Sequence, residues 1–336
     1  MSGEARHLVV TVDLAGMRAD RVVATLTELP RTRVRRLIES GLVTVAGAAV
    51  TPTQRLDSGT KVAVVVAEED QRVVAEDVPF TVVFGDDHLL VVDKPAGVVV
   101  HPGAGTSGGT LVAGLLRRFP DQAALQEQRF GLVHRLDKDT SGLLVVARTA
   151  AAYRRLQSML RRREITRSYL ALVAGTSPAA TGTIDAPVGR NPTSPTVMTV
   201  TKQGRPARTH YRRLASWPVA TLLEVTLESG RTHQIRVHLA AVDLPIVGDR
   251  TYGRRRATAA PAGTSFPTAP GRRHPADPGR QWLHATRLEF AHPATGEPVA
   301  VEAAVPDELS RSLDRLGPAL SGAVPRLAQS GSVRSV

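Results

Sequence analysis

A short segment near the middle of the chain brings several charged or ionisable side chains together just before an apolar run. The polar residues are His134, Arg135, Asp137 and Asp139, and the apolar run extends from Leu143 to Ala147. We predict that this run is a buried strand and that the polar residues lie on the turn leading into it. Polar groups held by a rigid strand are typical of an active site, where a carboxylate can act as a nucleophile or a base.

The carboxylates of Asp137 and Asp139 also have the spacing of a metal-binding pair. Hard cations such as Mg²⁺ bind carboxylate oxygens. Arg135 and Lys138 stand beside these acids and would compete with a metal for them. The pattern therefore favours carboxylates that act without a metal, and we expect no metal site here.

A glycine-rich segment, Gly103 to Gly108, fits the pattern of a dinucleotide-binding turn. Pro102 interrupts the preceding strand, and no acidic residue closes a second strand about twenty residues later, where ribose binding requires one. The segment therefore indicates a loop whose backbone amides could meet a phosphate. A dehydrogenase built around this loop is the most distant alternative, and we expect no nucleotide or redox cofactor.

A second polar cluster runs from Gly230 to His238. Thr232 is placed to cap a helix that has Ile235 and Leu239 on one face. Arg231 lies at the cap, where its side chain is free to reach an anion. The cluster therefore predicts an anion-binding arginine beside an apolar helix face.

The composition favours a folded protein with a polyanionic partner. The chain has 336 residues with 43 lysines and arginines against 31 acidic residues, a net charge of +12. Such a surplus favours nucleic acid, while an aromatic content of 4% argues against a platform of stacked bases. The absence of cysteine excludes disulfides and thiolate chemistry. We see no signal peptide and no membrane-length apolar run, and therefore expect a cytoplasmic protein.

The pattern along the chain predicts two domains. Residues 8–67 form a small module, residues 68–79 an acidic linker, residues 80–309 a large domain, and residues 310–336 a loosely ordered tail. Short β-like runs alternate with a few helices in the large domain, which indicates an α+β fold with a mixed, largely antiparallel sheet. The segment from Arg254 to Arg280 is rich in proline, glycine and arginine and is predicted to be a mobile basic loop, whose role stays open.

The second helix of the small module, predicted from Thr32 to Glu39, has a basic face. Val34, Leu37 and Ile38 are spaced for burial, and arginines occupy much of the remaining surface. A solvated surface is the alternative interpretation, but several arginines with a single neighbouring acid favour contact with phosphate. We select Arg33 and Arg36 from this face as candidate RNA-binding residues.

Several separated motifs together resemble the Rlu family of ribosomal RNA pseudouridine synthases, in the branch that modifies large-subunit rRNA. The small module resembles the RNA-binding domain of the ribosomal-protein-S-four type. The resemblance extends over residues 10–305. The motifs that carry it are Lys94–Gly97, His101–Gly103, His134–Ala147, Arg167–Val173, Gly230–His238, Pro245–Asp249, Tyr252–Gly253, Leu283–Ala285 and His292–Pro293.

The resemblance implies roles for five residues of a catalytic domain of pseudouridine synthase type. Asp137 matches the essential aspartate, and Arg231 matches the arginine that pairs with it and keeps it ionised. Tyr169 matches the tyrosine that packs on the base and moves a proton. Arg135 matches the residue that takes the place of the flipped nucleotide, and Ile235 would be the apolar floor under the uracil.

The resemblance also implies a partner and leaves one main alternative. We expect a monomer that acts on large-subunit rRNA, either free or in an assembling subunit, without a cofactor. The alternative is a non-catalytic rRNA-binding factor for ribosome assembly that uses the same fold. The presence of Arg135, Asp137, Tyr169 and Arg231 favours the enzyme.

Overall fold

A computed structural model describes most of the chain and divides it into two compact units, Met1–Arg72 and Val73–Val336. The predicted acidic linker falls at this division, and its first residues, 68–72, lie outside the described residues. So do residues 104–107 of the glycine-rich loop and residues 254–272 of the predicted basic loop. No helix in the described part of the chain has the length and apolar character of a membrane-spanning segment. The described residues are 4–29, 31–66, 73–103, 108–177, 179–194, 196–253, 273–325 and 333–335.

The first unit is a small antiparallel sheet packed against two helices. Its strands are β1 Glu4–Val9, β2 Val43–Val45, β3 Ala48–Ala49 and β4 Lys61–Val66, and its helices are α1 Ala19–Thr27 and α2 Arg31–Glu39. The strand order is β1-β4-β2-β3. Val62 and Val64 alternate with Lys61 and Ala63 along β4, so one face of the strand joins the core while the other stays more accessible. The predicted small α/β domain is therefore present.

The second unit is built on a large mixed sheet. The strands of the second unit are β5 Thr81–Gly85, β6 Leu89–Lys94, β7 Ser141–Ala147, β8 Thr166–Ala174, β9 Thr181–Asp185, β10 Val188–Arg190, β11 Met198–Val200, β12 Arg208–Trp217, β13 Ala220–Leu227, β14 Leu283–Ala291, β15 Pro298–Glu302, β16 Ser321–Gly322 and β17 Val333–Ser335. Of these, β10 and β11 pair with each other in a separate two-stranded sheet. Its helices are α3 Leu111–Arg118, α4 Ala150–Arg162, α5 Gln234–Ala241 and α6 Asp307–Asp314. Short 3₁₀ segments cover Pro120–Leu125 and Arg129–Gly131.

The main sheet has eleven strands in the described ranges, with the central order β16-β12-β13-β8-β14-β7-β6-β5. β14 and β7 pair in parallel, whereas the other pairs in this order are antiparallel. The predicted fold class, α+β with a mixed and largely antiparallel sheet, is therefore confirmed.

Both faces of the sheet centre are covered, which explains the continuous apolar runs of β6 and β7. Leu144 and Val146 point into a core that includes α3, while Leu143 and Val145 point into a second core on the opposite face. Leu156 of α4 belongs to this second core and is fully buried. A strand buried on both faces needs apolar residues at every position. The sequence of such a strand therefore lacks the alternation of apolar and polar residues that is typical of a half-exposed strand.

The parallel contact between β7 and β14 requires a glycine. Gly142 pairs with Ala285 across the two strands and has a φ of +111°. A Cβ at this position would lie 2.2 Å from the carbonyl oxygen of Ala285. The glycine therefore lets β14 approach the strand that carries the charged turn.

The end of the chain differs from the prediction. The tail was predicted to begin at residue 310, but α6 continues to Asp314, and β16 then pairs with β12. Leu309 and Leu313 are buried against the main core, so the amphipathic spacing of these residues extends the folded unit beyond 309.

Candidate active site

The turn that carries Asp137 is fixed from inside the protein. The carbonyl oxygen of Lys138 accepts hydrogen bonds from Lys94 Nζ at 3.0 Å and from the amide of Gly97 at 2.9 Å. Lys94 is fully buried, and its ammonium also donates to the carbonyls of Pro95 and Val98. Burial lowers the pKa of Lys94 to about 7, with the positive charge of Arg280 acting in the same direction. Three carbonyl acceptors give the buried ammonium a partner for each of its protons.

His134 anchors the start of the same turn to β7. Its Nε2 accepts a hydrogen bond from the amide of Val145 at 3.3 Å. Burial lowers the pKa of His134 to about 3, so the ring is neutral at physiological pH. This contact gives His134 a structural role at the start of the turn.

Asp137 pairs with Arg236, a residue that is not among the candidates predicted from the sequence. Arg236 Nη1 donates to Asp137 Oδ2 at 2.9 Å. Its Nε and Nη2 atoms donate to the two carboxylate oxygens of Asp249, at 2.6 and 2.9 Å. The guanidinium therefore bridges two carboxylates, and its side chain is only 7% exposed. Burial alone would lower the pKa of Arg236, but its bonds to Asp249 and Asp137 raise it above the ordinary value.

The predicted pairing of Arg231 with Asp137 is wrong. Arg231 Nε donates to the carbonyl of Pro206 at 3.2 Å, on the rim of the cavity described below. The predicted cap is also wrong, because the helix α5 begins one residue later, with His233 as its N-cap at a φ of +56°. Arg236 then occupies the first turn of α5 and faces Asp137, whereas Arg231 precedes the helix.

His233 and Tyr252 form a second contact group around the Asp137 carboxylate. His233 Nε2 lies 4.0 Å from Asp137 Oδ2, and its Nδ1 is 2.8 Å from the Tyr252 hydroxyl. The Tyr252 hydroxyl accepts a hydrogen bond from the amide of Met198, so it can donate its own proton to His233 Nδ1. His233 then carries its proton on Nε2, the nitrogen that faces Asp137. Burial lowers the pKa of His233, so the neutral ring is favoured.

Asp249 holds the turn that supplies Tyr252. Its Oδ1 accepts from the amides of Thr251 and Tyr252 at 2.9 and 3.0 Å. The Arg236 guanidinium lies over the Tyr252 ring, 4.9 Å from its centroid. Asp249 is 5% exposed and needs a positive partner, so the acid in Pro245–Asp249 was the sequence signal that could have indicated Arg236.

The five candidate residues of the second unit line one cavity of about 1080 Å³, together with His233 and Arg236. The five are Asp137, Arg135, Tyr169, Arg231 and Ile235. Tyr169 and Ile235 are 4% and 5% exposed, whereas Arg135 is exposed at the mouth. Burial raises the pKa of Tyr169 and keeps its hydroxyl protonated.

The charge of the cavity lining is strongly positive. Among the described residues that line it are seven arginines, but only the two acids Asp137 and Glu228. Glu228 is paired with Arg163, and Asp137 with Arg236. The arginines are Arg129, Arg135, Arg161, Arg163, Arg167, Arg231 and Arg236. Such a lining attracts a polyanion.

The two RNA-binding candidates of the first unit lie on α2. Arg36 is exposed, while Arg33 is half-buried. The same helix also holds Arg31, whose Nη2 donates to the buried Asp20 at 2.8 Å. Asp20 therefore engages part of the basic face predicted from the sequence, through Arg31 and Arg35, and Arg36 is exposed beside them.

Comparisons with known proteins identify the class of protein to which the chain is similar. The family model described as RNA pseudouridylate synthase matches residues 88–241, which include the Asp137 turn, Tyr169 and all of α5. The solved structure of Human RNA Pseudouridylate Synthase Domain Containing 1 is 28% identical, with a TM-score of 0.53. The match covers 75% of this chain and 93% of that one.

Curated relatives extend the match over nearly the whole chain. Ribosomal large subunit pseudouridine synthase D of Xanthomonas campestris pv. campestris is 45% identical over 318 residues, which cover 94% of each chain. The protein of the same name from Pseudomonas aeruginosa is 42% identical over 306 residues, covering 90% of this chain and 93% of the relative. The chain belongs to the RNA pseudouridylate synthase family, and the predicted membership of the Rlu group of isomerases is confirmed.

Proposed function

We propose that this protein converts specific uridines of large-subunit rRNA into pseudouridine, with Asp137 as the catalytic carboxylate. The observation that carries the proposal is the pairing of Asp137 with Arg236 at the base of an arginine-lined cavity. The names of relatives at 40–45% identity support large-subunit rRNA as the substrate.

The reaction requires one bond to break, one to form, and no group to leave. The N1–C1′ glycosidic bond breaks, the uracil turns in the site, and C1′ bonds to C5. The hydrogen at C5 departs as a proton, and N1 gains one, so the product is an isomer of uridine. This balance needs no electron donor and no nucleotide cofactor. Asp137 acts as a nucleophile on the nucleoside, so the bond that its carboxylate forms must break again before the product leaves. The guanidinium of Arg236 lies against this carboxylate.

Three further residues have roles that suit their positions in the cavity. The ring of Tyr169 packs on the uracil, and its hydroxyl, kept protonated by burial, can move a proton. Ile235 is a buried apolar floor for the base. Arg135 is exposed at the mouth and takes the place of the nucleotide that leaves the stack. An apolar floor and a charged mouth together select a flipped base attached to a phosphate backbone.

The arginines of the cavity rim supply contacts to RNA phosphates. Arg129, Arg135 and Arg161 line the cavity and have no ion-pair partner in the part of the chain that the structure describes. Their guanidinium groups are therefore available to phosphate oxygens. Arg231 keeps donor groups beyond its bond to Pro206 and joins this set as an RNA contact. In the first unit, Arg36 contacts RNA from α2, with Arg33 beside it.

We infer a cytoplasmic protein that meets rRNA before or during subunit assembly and that acts as a monomer. Bacterial relatives named for the large ribosomal subunit support the compartment, because bacterial ribosomes assemble in the cytoplasm. Asp137, Tyr169 and Arg236, to which the reaction is assigned, meet in one cavity of the second unit, which supports a site that a monomer can form.

The experiment that tests this function maps pseudouridines in large-subunit rRNA from cells with and without the protein. We expect at least one uridine to lose its modification on deletion, and purified protein to restore it on the isolated rRNA. An unchanged pseudouridine map on deletion would contradict the proposal. If ribosome assembly then fails while the map stays unchanged, the non-catalytic assembly factor becomes the correct interpretation.

A further inference from the structure

Besides Lys94, a second cation, Arg280, holds the turn that carries Asp137. Arg280 Nη1 donates to the carbonyl oxygen of Asp139 at 3.0 Å, and its Nη2 donates to Ser141 Oγ at 3.0 Å. These contacts span the point at which the turn ends and β7 begins. The side chain of Arg280 is 11% exposed and does not belong to the cavity lining. Arg280 therefore supports the turn from behind and has no direct access to a substrate in the cavity.

The orientation of Arg280 comes from the C-terminal helix. Glu308, in the first turn of α6, accepts from Arg280 Nη2 at 2.8 Å and from Nε at 3.3 Å. One guanidinium thus connects a carboxylate of α6 with the backbone of the Asp137 turn. Planar guanidinium geometry makes such a two-sided contact directional, so a change at Glu308 is transmitted to the turn.

The helix α6 does not depend on this ion pair for its attachment. Trp282 Nε1 donates to Ser312 Oγ at 2.7 Å and to the carbonyl of Leu309 at 3.2 Å. Leu309 and Leu313 are also buried against the core. Removing the charge of Glu308 should therefore change the orientation of Arg280 without detaching the helix.

We propose that Arg280 is a positioning residue for the isomerisation, that it acts through the Asp139 carbonyl, and that Glu308 sets its orientation. The proposal rests on the proposed function of Asp137. Asp137 and Arg236 lie on different elements and meet at 2.9 Å, so the turn must be held in place for the carboxylate to face both Arg236 and the nucleoside. Displacement of a reacting group by about 1 Å can cost roughly a hundredfold in rate.

The test compares Arg280→Met, Arg280→Lys and Glu308→Gln in single-turnover assays. Release of tritium from uridine labelled at C5 reports the chemical step, and titration of enzyme gives KM separately. We expect Arg280→Met to lower the rate constant between about tenfold and a hundredfold with KM near that of the wild type. Arg280→Lys should lower the rate constant less than Arg280→Met does, because lysine keeps a donor for the carbonyl of Asp139. Glu308→Gln should lower the rate constant by a few-fold.

The matched control is Arg287→Met, on β14. Arg287 is 45% exposed and pairs with Glu289 and Glu302, away from the Asp137 turn. This control should keep wild-type rate and KM. Thermal unfolding of each variant separates loss of fold from loss of positioning, and if Arg280→Met does not fold, Arg280→Lys and Glu308→Gln decide.

Two results would overturn the inference. In the first, Arg280→Met and Glu308→Gln keep both the rate constant and the KM of the wild type. In the second, they raise KM without lowering the rate constant. Activity of the wild-type protein in the same assay keeps this outcome separate from the function itself. An inactive wild type contradicts the proposed function, whereas an active wild type with equally active variants contradicts only the role of Arg280.

Discussion

The carboxylate of Asp137 is paired with Arg236 and is still accessible from the cavity. Its side chain is 18% exposed to the cavity, while Arg236 behind it is 7% exposed and Asp249 is fully covered. Asp249 neutralises much of the Arg236 charge and fixes the guanidinium plane. One Nη1 donor remains directed at Asp137. The arrangement thus combines a rigid positive partner with a carboxylate that a substrate can reach.

The different positions of Arg236 and Arg231 lead to a prediction about the rate of the reaction. Arg236→Lys keeps a positive charge but cannot bridge Asp137 and Asp249 with a planar fork. We expect its rate constant for pseudouridine formation to fall by at least about tenfold. Arg231→Lys should stay within about threefold of the wild type, because its phosphate contact needs only a charge. Single-turnover kinetics on one rRNA substrate measure both variants.

The opposite order of effects would contradict this assignment. If Arg231→Lys lost the chemical step while Arg236→Lys retained it, the sequence-based pairing of Arg231 with Asp137 would be correct and the contact of Arg236 irrelevant to the reaction. Binding of the same rRNA serves as the control for both variants.

At the scale of elements, the sequence was informative where side-chain burial decides the structure. The apolar run from Leu143 to Ala147 predicted β7, and the spacing of Val34, Leu37 and Ile38 predicted the buried face of α2. These patterns reflect local contact with one core or two. The mixed sheet followed from the alternation of strands and helices, but which strands pair in parallel did not, and the pair of β7 with β14 depends on Gly142.

The register of α5 could not be obtained in the same way. The left-handed backbone of His233 delays the start of the helix by one residue and turns Arg236 toward Asp137. A single non-glycine residue at positive φ has no reliable signature in one sequence. The contact also joins residues that are 99 positions apart, so local spacing carries no information about it.

The basic face of α2 leads to a prediction for RNA affinity. Arg36→Ala removes an exposed charge, so we expect the slope of log affinity against log salt concentration to become shallower by about one. Arg36→Lys keeps the charge and serves as the matched control, with an unchanged slope. Equal slopes for Arg36→Ala and the wild type would show that this position makes no phosphate contact.

At the scale of the whole molecule, positive charge is distributed between two units with different arrangements. In the second unit it lines the cavity around one reactive carboxylate. In the first unit it follows α2, partly neutralised by the buried Asp20. A net charge of +12 makes association with any polyanion favourable, so specificity for particular uridines must come from geometry rather than from charge.

The buried histidine of β14 leads to a prediction for stability against pH. Burial lowers the pKa of His284 from 6.5 to about 4, with Arg280 acting in the same direction. The neutral ring is therefore favoured in the fold, and the unfolded chain binds more protons between these values. This contribution to stability is complete above pH 6.5 and is lost as pH falls toward 4. We expect His284 to account for about 2 kcal/mol of the stability that the protein loses between pH 7 and 5.

Chemical denaturation at the two pH values measures this loss. The variant His284→Gln should lack it, whatever its stability at pH 7, while replacement of the exposed His7 by Gln should leave it unchanged. If wild type and His284→Gln lose the same free energy of unfolding between pH 7 and 5, the buried imidazole is not the source.

The proposed function depends most directly on the carboxylate of Asp137. The measurement that tests it is the formation of pseudouridine in large-subunit rRNA from cells that lack the protein, after incubation with wild type or Asp137→Asn. The variant keeps the size of the side chain and an oxygen for Arg236 but has no charge. We predict that it binds the rRNA within a few-fold of the wild type, while its rate of pseudouridine formation falls by at least about a thousandfold. A rate within about tenfold of the wild type would contradict the central claim.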